Sequence, residues 1–216
     1  MTKWTLFILA TLMAAGTANA NTLTYLGLDG NIGVSNIGGI GYNGGVYTGK
    51  LLFNESSLGN IETMCADTVN VFPPPTSWND TLFNTNTYSP NIALAGNIVA
   101  LDFNSAVSTD QQVGLQTAIW EAVYDGVTDG AVTFATFSAD LTAGNFTSNI
   151  SGAALADAYT YFQDRTIAGN AIFIKAGVGP DGSPGQDQIT PVPEPASMAA
   201  LAVGAVALLR RRKSTK

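Results

Sequence analysis

Between Thr22 and Phe53 the chain mixes apolar and polar residues in short runs, as in LTYLGL and VYTGKLLF, with frequent glycines between them. No helical stripe is sustained, so short strands joined by turns are predicted here. Gly39-Ile40-Gly41-Tyr42-Asn43-Gly44 fits the pattern G-x-G-x-x-G, which signals dinucleotide binding only between a strand and a helix. A strand-like segment follows it, and the glycines read as a hairpin turn. IETMCAD, residues 61–67, is a further strand, leading to the loop Phe72-Pro73-Pro74-Pro75. The period changes at Asp110-Gln111-Gln112, which opens a helix through Val113, Leu115, Ala118, Ile119 and Val123 to a stop at Asp125-Gly126. Ser108, Thr109 or Asp110 can cap it. A second helix is predicted from about Ala153 to Ile167, closed by Gly169-Asn170, and AIFIKAG then reads as a buried strand. Strands first, helices later and a final strand give an α+β class, a β-barrel or β-sandwich core with a small helical subdomain.

The two ends follow other rules. Lys3, an apolar run from Trp4 to Ala15 and the small-residue exit Ala18-Asn19-Ala20 occur in the order of a secretory signal peptide, residues 1–20. Gly177 to Pro191 reads GVGPDGSPGQDQITP, the chemistry of a linker, so the folded domain is predicted to cover residues 21–176. Beyond it stand Pro193-Glu194-Pro195, an apolar stretch from Met198 to Leu209, and the cluster Arg210, Arg211, Arg212 and Lys213. The apolar stretch is short, about 12 to 14 residues where a spanning helix needs about 20. Its one-sided basic end fits the positive-inside rule for a short transmembrane segment. In these three parts residues 192–216 resemble the tail of the PEP-CTERM class of exported bacterial proteins. The resemblance implies that Pro193, Glu194 and Pro195 are read by an exosortase, a membrane protease-transpeptidase of exopolysaccharide-producing Gram-negative bacteria. It also implies an inner-membrane intermediate, and then the cell surface or extracellular matrix.

Charge narrows the partners. The chain carries a net charge of -7, and between Asn21 and Thr190 the basic residues are Lys50, Arg165 and Lys175 alone. So acidic a domain repels phosphate backbones, which excludes nucleic acid as a partner. Glycine is abundant, at 23 residues, and only 12% of residues are charged, a balance that favours strands and turns. Histidine is absent, which excludes Ser-His-Asp and Cys-His catalysis and any His-ligated metal. Acidic turns such as Asp29-Gly30-Asn31 and Asp181-Gly182 lack the full spacing of a calcium loop. Asn54-Glu55-Ser56, Asn79-Asp80-Thr81, Asn145-Phe146-Thr147 and Asn149-Ile150-Ser151 match the glycosylation acceptor pattern and are read as loop markers. No cofactor is called for.

One cysteine remains, Cys65, which in an exported chain has no internal disulfide partner. Its segment, together with Gln116-Thr117-Ala118-Ile119-Trp120, resembles the thioester domains of bacterial surface adhesins. In that family a cysteine and the glutamine of a Gln-x-x-apolar-Trp motif form an internal thioester. The resemblance implies a Cys65–Gln116 cross-link, shielded from water by Trp120 one turn along the helix, that an amine- or hydroxyl-bearing surface ligand or exopolysaccharide can open. Read from the residues alone, Cys65 is equally a small buried hydrophobe and Ile119 and Trp120 core residues. Three functions stay open: a covalent adhesin, a non-covalent component of the biofilm or exopolysaccharide matrix, and an exported hydrolase using Asp102, Glu121 and Asp125. The hydrolase is the weakest, since no spacing singles those carboxylates out, and a non-enzymatic role is expected. The export signal makes a direct prediction: N-terminal sequencing of the extracellular product should begin at Asn21, and recovery of Met1 would refute the signal-peptide reading.

Overall fold

The computed structural model describes residues 21–30, 32–39, 42–68, 77–126 and 132–192. The predicted signal peptide, the Phe72–Pro75 loop, Pro193-Glu194-Pro195 and the apolar tail lie outside the described residues. In chain order the elements are β1 (Asn21–Leu28), β2 (Gly33–Gly39), β3 (Gly44–Thr48), β4 (Leu51–Glu55), β5 (Gly59–Cys65), β6 (Ser77–Asn84), α1 (Thr85–Tyr88), α2 (Pro90–Asp102), α3 (Thr109–Tyr124), α4 (Phe134–Ala143), β7 (Phe146–Ser148), α5 (Gly152–Gln163), β8 (Ala171–Ala176) and β9 (Gln188–Pro191). Six strands close an antiparallel barrel in the order β1-β4-β5-β9-β8-β6, with β6 returning to β1. A second sheet has the order β3-β2-β7. The α+β class holds, and of the two predicted cores the barrel is the one formed.

Period-two burial explains the barrel. Leu23 and Tyr25 of β1 are buried while Leu26 is exposed, and their register partners Trp78 and Phe53 are buried as well. Tyr25 and Phe53 meet edge to face at 5.4 Å, a cross-strand aromatic pair of the kind that fixes register. The segment VYTGKLLF is two strands rather than one, because Gly49 adopts φ 141° and lets the chain leave the second sheet after β3 and enter the barrel as β4.

The helical layer is larger than its sequence pattern suggested. α3 starts at a full capping box in which the Ser108 side chain accepts from the Gln111 N–H at 3.3 Å and the Gln111 side chain accepts from the Ser108 N–H at 3.0 Å. Every residue from Gln112 to Ala122 is buried, since α3 packs against α2, α5 and the second sheet. Gly114 lets α5 come close: a Cβ there would stand 2.9 Å from the Ala154 carbonyl oxygen. α2, capped by Ser89 with Pro90 in its first turn, escapes a periodicity search because PNIALAGNIVALD is apolar on nearly every side. The second predicted helix is α5, and a 3-10 turn at Asp164–Thr166 prolongs it.

Two readings are corrected. Asn79-Asp80-Thr81 lies within β6 and Asn145-Phe146-Thr147 enters β7, so neither is a plain loop marker. More consequentially, Gly177 to Pro191 is not a linker. Its glycines and prolines build a hairpin, with Gly179 N–H bonded to the Ser183 carbonyl at 2.7 Å. Its end is β9, which pairs Met64 with Ile189 on one side and Phe173 with Ile189 on the other. The domain therefore reaches Pro191, and β9 is the strand that joins β5 to β8. Ending the chain after Ala176 would leave two open barrel edges. We expect such a chain to lose its cooperative thermal transition by circular dichroism, and a chain ending after Val192 to keep it; equal melting of both would contradict the strand assignment.

Candidate functional site

Cys65 is the last residue of β5, paired with Gln188 of β9, and Gln116 lies mid-way along α3. Helix and barrel meet at these residues. The Gln116 side-chain oxygen Oε1 accepts from the Cys65 backbone N–H at 3.0 Å, and its Nε2 donates to the Cys65 carbonyl oxygen at 2.7 Å. The carboxamide thus docks on the cysteine backbone as a neighbouring strand would, satisfying two buried polar groups. Both residues are buried, Gln116 completely. The structure therefore brings together the two residues singled out in the sequence.

The thiol itself points to other partners. Cys65 Sγ donates to Gln186 Oε1 at 3.1 Å, and Gln188 Nε2 stands 4.0 Å from the sulfur. Gln188 is fixed in turn by Thr63 Oγ1, which donates to its Oε1 at 2.8 Å, and by its own Nε2 bond to the Gln186 carbonyl at 3.2 Å. Gln186 Nε2 reaches the Asp67 carbonyl at 3.2 Å, and the Asp67 carboxylate accepts from the Asp187 N–H at 2.9 Å. Burial, and secondarily the charge of Asp67, push the thiol far above its ordinary pKa despite the Gln188 contact. The sulfur is therefore a neutral thiol at physiological pH. Gln186 and Gln188 were missed in the sequence because they sit in the stretch that reads as a linker. The alternation of Gln188, Ile189 and Thr190 was the available signal.

Trp120 is 1% exposed and packs on Phe146 with ring centroids 5.7 Å apart. It lines a cavity of about 470 Å³ whose wall also includes Cys65, Gln186, Tyr25, Ile37 and Thr68. Trp120 and Cys65 thus line one cavity, whose walls come from both the barrel and the second sheet. Thr68 is held by Tyr124, whose hydroxyl accepts from the Thr68 N–H at 2.9 Å. Among the described residues no group of three or more His, Cys, Asp or Glu is arranged to hold a metal ion.

Residues 191–213 match the family model of the PEP-CTERM protein-sorting motif. The match includes Pro193, Glu194 and Pro195 and begins at the final residue of β9. It supports a PEP-CTERM-sorted protein, and implies processing by exosortase and export through a membrane-anchored intermediate to the cell surface of a Gram-negative bacterium. No curated protein and no solved structure matches the chain. Among the described residues no helix is long and apolar enough to cross a membrane.

The carboxylates of the hydrolase alternative are engaged separately. Asp125 accepts from the backbone N–H groups of Asn145 and Phe146 at 3.2 and 2.8 Å, clamping β7, while Glu121 is fully buried within α3. Asp102 faces Asp164, and burial with that neighbouring charge pushes it up to about 7. Asp187, near the thiol, is pushed up to about 6 by burial and then by Asp67. Both hold their protons more tightly folded than unfolded, so the stability they support is lost as pH rises from the ordinary value of about 4. Thermal melts should show a midpoint that falls between about pH 4.5 and 7.5, and Asp102→Asn should flatten the upper part of that decline. A midpoint rising over the same interval would contradict these assignments.

Proposed function

We propose that this exported protein is a covalent surface adhesin whose reactive group is a thioester between Cys65 and Gln116. The observation that carries this reading is the seating of the Gln116 carboxamide on the Cys65 backbone. The Cys65 N–H already donates to the oxygen of the carbonyl that the thiol must attack. In the tetrahedral intermediate that same N–H stabilises the developing oxyanion. The Cys65 sulfur forms a bond to the Gln116 side-chain carbon, the C–N bond breaks, and Nε2 departs as ammonia with the thiol proton.

Formation needs the Cys65 side chain to turn from Gln186 toward Gln116, and it exchanges one hydrogen bond, Gln116 Nε2 to the Cys65 carbonyl, for the new covalent bond. Holding the two groups together supplies the advantage of an intramolecular reaction, worth up to about 7–11 kcal/mol where alignment is good. A ligand amine then attacks the acyl carbon, sulfur leaves and recovers a proton, and the ligand is joined to Gln116 by an amide. Trp120, in the wall of the cavity that Cys65 also lines, keeps water from competing. A surface or exopolysaccharide hydroxyl would give an ester by the same route. Exosortase acting at Pro193-Glu194-Pro195 would separate the barrel from the apolar tail almost directly after β9.

A second reading, a non-covalent matrix component with an unreacted thiol, is favoured by the hydrogen bond from Sγ to Gln186 and by the neutrality of the thiol. Methylamine separates the two. Under the adhesin reading the native protein resists thiol reagents, and methylamine adds to Gln116 while one labelable thiol appears in equal amount. Cys65→Ala abolishes incorporation and keeps the fold. Gln116→Ala abolishes it too and costs about 2 kcal/mol of stability, because the Cys65 N–H and carbonyl lose their partner. A buried thiol that labels only on unfolding, with no amine uptake, would establish the non-covalent reading instead.

A further inference from the structure

Asp80, in β6, is 7% exposed, yet among the described residues neither of its carboxylate oxygens has a hydrogen-bond partner. A buried carboxylate with neither donors nor a counter-charge is an arrangement that folds avoid. Its surroundings make matters worse. Leu23 is the register partner of both Glu55 in β4 and Trp78 in β6, and two residues earlier Asn21 is the partner of Asp80. Directly opposed side chains share a face and that face repeats every second residue, so Asp80 and Glu55 share the barrel interior around the start of β1. Glu55 is satisfied: it accepts from the Ser57 and Leu58 N–H groups at 2.9 and 2.6 Å, and from the Ser57 hydroxyl at 2.6 Å. Its charge then adds to that of Asp80, whose proton affinity burial has already raised.

No side chain among the described residues supplies a cation. Lys50 pairs with Glu62 at 3.7 Å and lies over the Phe103 ring. Arg165 lies over Phe162 and donates to the Phe162 carbonyl. Lys175 stands opposite Thr81, one residue out of phase with Asp80, and lies by the Tyr88 ring. On the β8 side Asp80 faces Ala176, whose N–H is bonded to Asp187, another acid.

We propose that Asp80 is the seat of the mature chain's own α-ammonium group. Hydrolysis of the Ala20–Asn21 peptide bond adds one water, leaving a carboxylate on Ala20 and converting the neutral amide nitrogen of Asn21 into a primary ammonium. That nitrogen is one bond from the Asn21 Cα, which stands about 4.5–5.5 Å from the Asp80 Cα in an antiparallel pair. Removal of the signal peptide therefore creates the missing counter-charge in place. Before cleavage Asp80 is buried unpaired and closure of the barrel by β1 is disfavoured; after cleavage the same closure is stabilised. Processing and folding are coupled, which keeps the precursor loosely folded until it has been exported.

The test compares two full-length chains with defined starts, one at Asn21 and one retaining Ala18-Asn19-Ala20, which moves the ammonium roughly 10 Å along the strand. At pH 6.5 the chain starting at Asn21 should melt about 3 °C or more above the longer one. Its α-amine, followed by NMR, should titrate above the ordinary value of about 8, and the melting gap should close near pH 10 and in an Asp80→Asn pair. Equal melting of the two chains, an α-amine titrating at its ordinary value, or a gap that survives Asp80→Asn would overturn the proposal. So would calcium or magnesium raising the longer chain to the level of the shorter, since Asp80 would then be a seat for a metal cation.

Discussion

The two hydrogen bonds between the Gln116 carboxamide and the Cys65 backbone join the helical layer to the barrel, and most of the architecture around the site serves to make that contact possible. For Gln116 to reach Cys65, α3 must be buried along its length, which requires α2 and α5 on its flanks and a glycine at position 114 for α5 to come close. For the Cys65 backbone to be free to accept a side chain from the helix, β5 must stop pairing in the regular way at its end. There β4 has already ended, its last pair with β5 being Leu51 and Thr63, while the ladder with β9 runs on through Cys65 and Gln188 to the Ala66 N–H bond with the Asp187 carbonyl. The Gln116 side chain takes the place of a ladder bond at the barrel rim, and its loss would leave two buried backbone groups unsatisfied.

β9 has a double role in this arrangement. It closes the barrel between β5 and β8, and with the residues just before it, it presents Gln186 and Gln188 to the sulfur. Burial and the charge of Asp67 keep the thiol neutral, and its hydrogen bond to Gln186 directs it away from the carboxamide in the resting geometry, while the Cys65 N–H polarises the Gln116 carbonyl. The site thus holds an unactivated nucleophile beside an activated electrophile. Under the proposed adhesin reading such a pair would react once, when the sulfur turns, and afterwards keep its energy in the acyl bond. The match to the sorting motif begins where β9 ends, so the strand that completes the site is also the one that ties the barrel to the export tail.

Much of this was legible in the sequence where local chemistry and global structure agree. α3 combines a capping box, a helical run and a glycine stop, and it was found with boundaries close to those observed. Cys65 and Gln116 stood out because each residue type is rare or oddly placed in its context. α2 was not legible, since a helix apolar on all sides has no stripe to read. β9 was hidden because its few residues follow a glycine- and proline-rich hairpin, whose composition is that of a linker even though Gln188 and Thr190 find buried partners in Thr63 and the Glu62 carbonyl. Asp80 was hidden for the opposite reason. Asn-Asp-Thr is typical of loops, and only the barrel register reveals that its carboxylate faces inward toward the start of β1.

The central claim is that Cys65 and Gln116 are covalently joined in the native exported protein, and intact mass spectrometry of the native chain tests it without any reagent. Thioester formation expels ammonia and changes nothing else, so the native chain is expected to be lighter than the processed sequence by one ammonia, and hydrolysis, which adds one water and leaves Glu at position 116, to bring it about 1 Da above the sequence mass. A native chain with the full mass of its sequence, carrying both the free thiol and the intact carboxamide, would contradict it.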